Sequence, residues 1–395
     1  MKQAIKKSRK IANNLSDDRL IYTLLIDGNS LLKSSLVNKE MNSKGEEYGA
    51  IWNMLRRMGE LLLKKDFNFC LTVWDGFQSG ICRWNIYSPY KQNRDKHYEM
   101  FGGQTDYDKQ IAAYCKKVIN YHKGIKNEPK RGETDDENFQ RQRSIIQNIL
   151  DNLFVRQFMF DEVEGDDIIA YYCQHKKSNE RVVIVSEDRD LTQLINEEIC
   201  IWIPSKHKFI TPNNDVAELG YTHENVVLKK IICGDSSDNI YGIKGVGEKG
   251  LLKQFPELIT QKCTLNEILE RAQAIQTDRL QHKKKPLKSL ENMLKRVTDG
   301  EQGKDIYEIN EKIIDLKEPL LTEDAIKSLN DELYAPIDPD GRELKNIYQI
   351  INDNDMIKLQ DENIFGNVFG PFERICKMEK KYFKEKTKDE KEDNN

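Results

Sequence analysis

The sequence lacks the paired cysteines and the long apolar runs that would assign it to several common protein classes. Its eight cysteines are scattered, and no two of them form a C-x-x-C pair. That spacing argues against a disulfide framework and against a zinc ribbon. No apolar run approaches the ~20 residues that a membrane-spanning helix requires, and the basic N-terminus lacks the apolar stretch of a secretory signal. We therefore expect a cytoplasmic protein with reduced thiols that does not enter a membrane.

A large excess of positive charge is also missing, since the formal net charge is −4 over 395 residues. This average conceals a local separation, because carboxylates cluster in a few motifs and lysines cluster in others. A protein that binds both metal ions and phosphate groups requires such a separation. Without a cysteine-based site, we expect any metal ion to be held by oxygen ligands.

The order of apolar segments predicts an α/β fold with a mostly parallel sheet flanked by helices. Apolar runs typical of buried strands occupy residues 21–26, 69–74, 155–160, 182–185 and 199–203. Helical periodicity is present over residues 48–63, 145–153 and 166–174. Residues 127–138 contain no apolar residue, which indicates a loop.

The same patterns divide the chain into four segments. We expect a mobile tail over residues 1–20, an α/β domain over 21–225, a helical domain over 226–345 and a C-terminal extension over 346–395. Residues 90–140 form a polar and aromatic insertion in the α/β domain. The end of the extension alternates Lys and Glu without an apolar face, so we expect it to be disordered.

Acidic residues repeatedly follow the predicted strands. The seven acids of this kind are Asp27, Asp75, Glu164, Asp166, Asp167, Asp188 and Asp190. Helix capping explains a single acid at a helix start, but it does not explain acids after one strand end and then another. Parallel strands place their carboxyl ends along one edge of the sheet, where such folds have their sites. Because carboxylates in one crevice repel each other, we predict that hard divalent cations such as Mg²⁺ bind there.

Two divalent ions about 3.5–4 Å apart are the usual arrangement for phosphodiester hydrolysis, because one activates water and the other stabilises the leaving oxygen. The sequence therefore predicts a two-metal phosphotransfer site, with Asp27, Asp166 and Asp188 as its catalytic carboxylates. Asp235 and Asp238 lie in the later motif Gly234-Asp-Ser-Ser-Asp-Asn239. They would join the cluster if that segment folds back over the sheet edge.

A basic and aromatic segment, Tyr87-Ser-Pro-Tyr-Lys-Gln-Asn-Arg-Asp-Lys96, suggests contact with nucleic acid. We predict that Tyr90 stacks on a base and that Lys91, Arg94 and Lys96 pair with phosphates. Lys91 and Arg94 are also candidates for stabilising charge in the transition state, a role that needs a cation near the metals. An ordinary solvated basic turn is the alternative.

The glycine-rich segment Gly242-Ile-Lys-Gly-Val-Gly-Glu-Lys-Gly250 lies between helical stretches. Glycines allow the backbone to approach a phosphate, and the amides at the start of the next helix form an anion site. A Walker G-x-x-x-x-G-K-[ST] pattern is absent, so nothing here indicates ATP. The predicted DNA contacts are Gly242, Lys244, Gly245, Gly247 and Lys249, and a generic turn is the alternative.

Together these motifs resemble the 5′→3′ exonuclease and flap-endonuclease family, most closely its bacteriophage members such as the T-even phage ribonuclease H. The matching segments, in family order over residues 21–260, are Ile26-Asp-Gly-Asn29 (first motif), Tyr90-Lys-Gln-Asn-Arg94 (Y-K-x-N-R), Glu164-Gly-Asp-Asp167 (E-A-D-D), Ser186-Glu-Asp-Arg-Asp190 (S-x-D-G-D) and Gly234-Asp-Ser-Ser-Asp-Asn239 followed by Gly242-Ile-Lys-Gly-Val-Gly247 (G-D-x-x-D-N…G-x-x-G-x-G).

The resemblance implies a PIN-like sheet, a helical arch over residues 90–140 and a helix–three-turn–helix that grips duplex DNA, with a bound K⁺. It assigns one Mg²⁺, for which Mn²⁺ can substitute, to Asp27, Asp75, Glu164 and Asp166. It assigns a second ion mainly to Asp188, Asp190, Asp235 and Asp238, with Asp167 shared or in an outer position. The implied function is that of a monomer with ribonuclease H activity, which removes RNA primers or 5′ flaps from nicked or RNA-primed duplex DNA during replication and repair. Its products carry 5′-phosphates, and it acts in the host cytoplasm if it is phage-encoded.

Two questions remain open from the sequence. Asn363-Ile-Phe365 and Val368-Phe369 either contact a sliding clamp or single-strand-binding protein, or pack onto the core. The overall function has two rivals: a PIN-class ribonuclease acting on free RNA, and a junction-binding protein without catalysis. The glycine-rich segment argues against the first rival, and the presence of all nine acids argues against the second.

Overall fold

The computed structural model describes residues 20–37, 39–92, 134–300 and 303–393, of which residues 389–393 are described by backbone only. Three predictions therefore concern residues outside this description. They are the tail before residue 20, the greater part of the arch over residues 90–140, and the contacts of Arg94 and Lys96.

A central sheet has the strand order β3-β2-β1-β4-β5-β6. Its strands are β1 (Ile21–Asp27), β2 (Phe69–Val73), β3 (Arg156–Phe158), β4 (Glu180–Val185), β5 (Ile199–Ile203) and β6 (Lys208–Ile210). Neighbours from β3 to β5 are parallel, and β6 is antiparallel to β5. The mostly parallel sheet is thus confirmed, whereas β6 was missed because three residues are too few to show a periodicity. A separate hairpin pairs β7 (Gly234–Asp235) with β8 (Ile240–Tyr241).

Helices cover the sheet and form most of the chain after residue 225. The α-helices are α1 (Gly28–Ser34), α2 (Gly49–Lys64), α3 (Ile81–Ile86), α4 (Asp135–Asn152), α5 (Gly165–His175), α6 (Asp215–Leu219), α7 (Val226–Cys233), α8 (Glu248–Gln254), α9 (Leu265–Gln281), α10 (Lys288–Lys295), α11 (Ile306–Ile314), α12 (Glu323–Glu332), α13 (Leu344–Asp353), α14 (Glu362–Phe369) and α15 (Glu373–Asp393). Short 3₁₀ helices are Asp190–Leu194, Pro204–Lys206, His223–Asn225, Pro256–Ile259, Gly303–Asp305, Ile357–Gln360 and Gly370–Phe372. None of the described helices has both the length and the apolar composition needed to cross a bilayer.

The sheet separates two hydrophobic cores, because successive side chains of a strand point to opposite faces. Leu24 and Ile26 of β1 join a core with α1, α2, α4 and the C-terminal helices α13 and α14. Leu25 enters the other core, which contains α5 and α12. A third core holds α7 to α11 together in the helical part.

The C-terminal segments differ from the predicted division at residue 345. Buried residues of α12 pack on the sheet, and Ile347, Phe365 and Phe372 are buried beneath β1 and α2. The extension is therefore part of the main core. The interpretation of residues 363–369 as a clamp or single-strand-binding site is wrong, because Phe365, Val368 and Phe369 are each at most 5% exposed.

Two predictions of irregular structure were wrong. The predicted loop at 127–138 is wrong for its last four residues, because Thr134 and Glu137 form a capping box that starts α4 at Asp135. The predicted disorder at the C-terminus gives way to α15 through Asp393. In this helix, the side chain of Ile375 is buried, and Glu379 forms an ion pair with Arg156 of β3 (2.7 Å).

Candidate active site

The carboxyl edge of the parallel strands collects acids from four strand ends. Asp27 is the last residue of β1, and Asp75 follows β2 by two residues. Glu164 is the N-cap of α5, whose first turn contains Asp166. Asp188 follows β4 by three residues. These five positions meet because β2, β1 and β4 are adjacent in the sheet, at the place where the strand order reverses.

Hydrogen bonds aim the first two acids at this edge. Asp27 accepts from the Ser30 amide (2.9 Å) and from the Ser186 hydroxyl (2.7 Å). Asp75 accepts from the Gly165 amide (2.7 Å) and from the side-chain amide of Asn29. Each acid is therefore oriented by residues of a different strand end. Asn29 uses its side-chain nitrogen for this contact, and its buried Oδ1 has no hydrogen-bond partner among the described residues.

Burial, with mutual repulsion as a further contribution, raises the pKa values of two acids. Burial raises the pKa of Asp27 to about 7, with further contributions from Asp75 and Asp188. Burial also raises the pKa of Asp166 well above its ordinary value, and Asp188, Asp27, Glu164 and Asp75 raise it further. Such a crowded set stays ionised at neutral pH only when positive charge is supplied.

Glu164 already has positive neighbours. Its carboxylate pairs with Arg83 (2.8 Å) and with Lys91, and it accepts from the Tyr90 hydroxyl (3.0 Å). Burial would raise the pKa of Glu164, but Lys91 and Arg83 lower it to about 2. Lys91 thus lies beside the carboxylates, which is compatible with its predicted role.

Asp167, in the first turn of α5, is buried and pairs with Arg83. Arg83 contacts both of its carboxylate oxygens, at 2.5 and 3.0 Å, and the Leu320 amide donates to one of them (2.9 Å). This arrangement favours an outer, supporting position for Asp167. Arg83 was missed in the sequence, where its only signal was an arginine in a short apolar segment before Lys91.

A second acidic group continues from Asp188 toward the β7–β8 hairpin. Lys230 of α7 bridges Asp190 and Asp235, with its Nζ 2.5 Å from Asp235 Oδ2. Burial and Asp188 raise the pKa of Asp190, whereas hydrogen bonds from Lys230 and Ser237 outweigh burial and lower the pKa of Asp235 to about 2. Asp235 therefore lies next to the acids of the sheet edge, as predicted for the 234–239 segment.

The donor chemistry fits hard divalent cations. In the part of the chain that the structure describes, no three His, Cys, Asp or Glu side chains are arranged around a common point as ligands. The lysine and arginine contacts explain this, because Lys91 and Lys230 hold oxygens of Glu164, Asp190 and Asp235. Asp27, Asp75 and Asp166 form no ion pair with another described residue, and the buried Oδ1 of Asn29 has no hydrogen-bond partner among the described residues, so these oxygens fit a hard divalent cation.

The predicted stacking role of Tyr90 is wrong. Its side chain is 3% exposed and packs with Tyr87 and Ile240, while its hydroxyl lies 3.0 Å from Glu164 and 3.5 Å from Asp238. A buried ring cannot receive a base, so Tyr90 supports Glu164 instead. The predicted metal role of Asp238 remains a prediction.

The glycine-rich segment runs from the hairpin into α8. Gly242 must be glycine, because a Cβ would lie 2.1 Å from the Cys233 carbonyl carbon. Gly245 has φ of +75°, and Gly247 is the N-cap of α8. A Cβ on either of these two would meet nothing within 4 Å, so their backbone is open to a ligand. Lys244 and Lys249 are exposed beside them.

Comparison with known proteins assigns the family. The family described as "5′-3′ exonuclease, N-terminal resolvase-like domain" matches residues 22–220, just over half of the 395-residue chain. The chain belongs to this family. The predicted resemblance and the PIN-like, mostly parallel fold are therefore confirmed.

Two relatives are similar to the chain in sequence, and one solved structure is similar to it in fold. DNA polymerase I of Bacillus subtilis is 31% identical over 161 residues, which are 40% of this chain and only 18% of the polymerase. The 5′-3′ exonuclease of Aquifex aeolicus is 24% identical over 298 residues, covering 75% of this chain and 86% of that protein. The bacteriophage T5 D15 flap endonuclease, solved with DNA and metal ions, has a similar fold (TM-score 0.51, 18% identity, 84% of this chain and 99% of that one).

Proposed function

We propose that the protein is a metal-dependent 5′ nuclease that hydrolyses phosphodiester bonds in flapped, nicked or RNA-primed duplex DNA. The observation that carries the proposal is the meeting of Asp27, Asp75, Glu164, Asp166 and Asp188 at one sheet edge. Family membership and the T5 fold support it, since that flap endonuclease was solved with DNA and metal ions. The ribonuclease H activity, the removal of RNA primers, the 5′-phosphate products and the cytoplasmic location belong to the same proposal.

The residues that would hold two Mg²⁺ or Mn²⁺ ions fall into two groups. Asp27, Asp75, Glu164 and Asp166 form the first group, and Asp188, Asp190, Asp235 and Asp238 form the second. Bound divalent ions would supply an activated water and charge stabilisation for the leaving oxygen. Asp167 would act indirectly, by holding Arg83 against Glu164.

Two cations of the described residues, Arg83 and Lys91, pair with Glu164 of the first group, and Lys91 is the more exposed of the two. Its Nζ pairs with Glu164, so it lies where negative charge would increase as a phosphodiester is attacked. A fixed ammonium there would lower the barrier by stabilising that charge. We assign duplex binding to residues 242–250, where exposed backbone and Lys244 and Lys249 can contact phosphates. A K⁺ ion at this segment is part of the proposal.

One assay separates this function from its rivals. Purified protein would be mixed with labelled 5′-flap DNA, an RNA–DNA hybrid or single-stranded RNA, each with Mg²⁺ or with EDTA. We expect Mg²⁺-dependent cleavage of the flap and of the hybrid's RNA strand. Cleavage of single-stranded RNA alone would instead identify a PIN-class ribonuclease. Binding of the flap without any cleavage would identify a junction-binding protein.

A further inference from the structure

Several hydrogen bonds between described residues attach the segment that carries Lys91 to the β7–β8 hairpin, and three of them involve the backbone of one side or the other. The Lys91 amide donates to the Asp238 carbonyl (2.7 Å), and the Asn239 side-chain amide donates to the Pro89 carbonyl (2.7 Å). The Tyr87 hydroxyl donates to the Asn239 carbonyl (3.3 Å). Asn239 takes part in two of these bonds, once through its side chain and once through its backbone.

The backbone on both sides of this junction has an unusual conformation. Lys91 has φ of +55° and Asn239 has φ of +57°, a region that non-glycine residues rarely adopt. Asn tolerates it better than most residues because its short polar side chain can hydrogen-bond locally. The hydrogen bonds across the junction offset that strain, so the direction of the Lys91 side chain depends on them.

We propose that Asn239 is a positioning residue for Lys91. Its side-chain amide fixes the Pro89 carbonyl, and the fixed turn directs Lys91 Nζ at Glu164. Because the hairpin continues directly into the glycine-rich segment, the same residue connects the proposed duplex contact to the proposed catalytic cation. This inference rests on the proposed nuclease function.

The test uses Asn239→Gly, which allows the positive φ but removes the side-chain donor. We expect kcat on 5′-flap DNA to fall about 10-fold, with the Kd for the uncut flap within about twofold of wild type. In a Lys91→Met background, Asn239→Gly should cause no further loss, because both changes remove the same contribution. Amide hydrogen exchange at residues 87–92 should become faster.

Several results would overturn the proposal. If Asn239→Gly retains the wild-type kcat, Asn239 does not act through Lys91. The same conclusion follows if Asn239→Gly lowers kcat in the Lys91→Met background by as much as it does in the wild type. If Asn239→Gly fails to fold, Tyr87→Phe removes the hydrogen bond to the Asn239 carbonyl without changing the backbone, and it should lower kcat in the same background-dependent way. Failure of the wild-type protein to cleave any flap would refute the nuclease function itself.

A separate feature is the basic turn of residues 282–287, between α9 and α10. Lys283, Lys284 and Lys285 are exposed, and none of them forms an ion pair with another described residue. The turn has a fixed shape, because the side chain of the buried Gln276 both accepts from the Leu287 amide and donates to its carbonyl (2.9 Å each). Arg279 Nε also donates to the Lys285 carbonyl (2.9 Å).

Helix α10 connects this turn to the glycine-rich segment. Near its other end, Asn292 donates to the Lys244 carbonyl (2.8 Å), and the Lys244 amide donates to the Val297 carbonyl (2.8 Å). At a rise of 1.5 Å per residue, the helix separates the two regions by about 11 Å. That distance corresponds to roughly three base-pair steps of a duplex.

We infer that the basic turn is a second phosphate-binding site, which contacts the duplex beyond the glycine-rich segment. This inference also rests on the proposed function, and its ligand is the sugar–phosphate backbone of duplex DNA. Unpaired lysines on a rigid turn lose little freedom on binding and release counterions from the duplex. Lys283, Lys284 and Lys285 would therefore contribute affinity that depends on duplex length and on salt.

Binding is measured with the triple change Lys283→Ala, Lys284→Ala and Lys285→Ala on an Asp166→Asn background, which keeps the DNA uncut. On a flap substrate with a duplex of about 20 base pairs, we expect about 10-fold weaker binding and a salt slope reduced by about 2. In a series of progressively shorter duplexes, we expect the effect to fall below twofold at a length about three base pairs greater than the length at which the glycine-rich contact itself is lost. Removing three exposed lysines of α15 (Lys377, Lys381 and Lys384) is the charge-matched control and should change neither value.

The inference would be overturned if the triple variant lost the same affinity on short and long duplexes, or if its salt slope were unchanged. It would also be overturned if the α15 control lost as much affinity as the triple variant. Cleavage by the parent protein is assayed in parallel. A protein that binds the long duplex through the turn but cuts nothing would refute the nuclease function while supporting the binding site.

Discussion

Arg83 and Asp167 form a two-point ion pair beneath the carboxylate edge, with Arg83 Nη1 2.5 Å from Asp167 Oδ2 and Nη2 3.0 Å from Oδ1. Both side chains are almost fully buried. The same guanidinium contacts Glu164 (2.8 Å), and its Nε donates to the Ile313 carbonyl of α11 (2.9 Å). One side chain of α3 thus connects two acids at the start of α5 to the helical part.

We expect Arg83→Gln to destabilise the fold by about 3–5 kcal/mol, because it leaves buried carboxylates without their cation. Urea unfolding would measure the change. Adding Asp167→Asn should recover part of the loss, since it removes the charge that Arg83 had neutralised. A loss below about 1 kcal/mol would contradict a structural role for this ion pair.

Asp166→Asn and Asp188→Asn should each abolish turnover while leaving flap binding intact or tighter. Each change removes negative charge beside the substrate phosphates and a proposed metal ligand. Single-turnover cleavage and equilibrium binding would be measured on the same substrate. Glu162→Gln, on the exposed loop before α5, is the matched control and should retain activity. Parallel losses of binding and rate would argue against the assigned roles.

Lys91→Met should slow cleavage about 10²–10³-fold at saturating substrate, a cost typical of losing one group that stabilises transition-state charge. Methionine keeps most of the side-chain length. The positive φ of residue 91 is unfavourable for both lysine and methionine, so the change removes the charge without relieving backbone strain. The rate constant of the chemical step and the Kd for uncut flap are the two measurements. A defect confined to Kd would assign Lys91 to binding alone.

In EDTA, the free energy of unfolding should decrease as the pH rises from 5 to 8. Burial, with Asp75 and Asp188, raises the pKa of Asp27 to about 7, so the folded state keeps a proton that the unfolded state has already lost. Stability is therefore greatest at low pH in this window and falls by roughly 2–3 kcal/mol as the folded carboxyl ionises. Urea unfolding at pH 5 and at pH 8 would measure this difference in the free energy of unfolding.

Adding Mg²⁺ should remove this pH dependence, because the cation stabilises the ionised carboxylates. Asp27→Asn should remove the contribution of Asp27 in EDTA, since the side chain can no longer titrate, and the buried Asp166, whose pKa is also raised, should account for dependence that is left. Equal stability of the metal-free wild type at pH 5 and pH 8 would rule out the proposed crowding of acids.

Leu359→Ala should cost about 2–5 kcal/mol, because Leu359 is fully buried in the core beneath β1. Ile357→Ala in the same 3₁₀ helix should cost less than about 1 kcal/mol, because Ile357 is 53% exposed. Thermal or urea unfolding of the two variants would be compared. Similar effects would mean that the C-terminal extension is not part of the main core.

Much of the fold was predictable because its signals are local. Buried strands such as residues 21–26 and 199–203 are short apolar runs, and the acids follow them directly in the sequence. The start of α4 was also visible in principle, since Thr134 and Glu137 have the spacing of a capping box. The α15 helix was not, because its order depends on contacts with β3, more than two hundred residues earlier in the chain.

The sequence by itself determined the family, the parallel sheet and the set of acids at its edge, because each depends on a run of neighbouring residues. Only the tertiary structure decided which cations meet those acids and which aromatic residues are accessible. Arg83, Lys230 and Asn239 act on partners distant in the chain, and Tyr90 is buried by segments that no local pattern connects to it. Such pairings arise from packing, in which every side chain's neighbours depend on the whole fold.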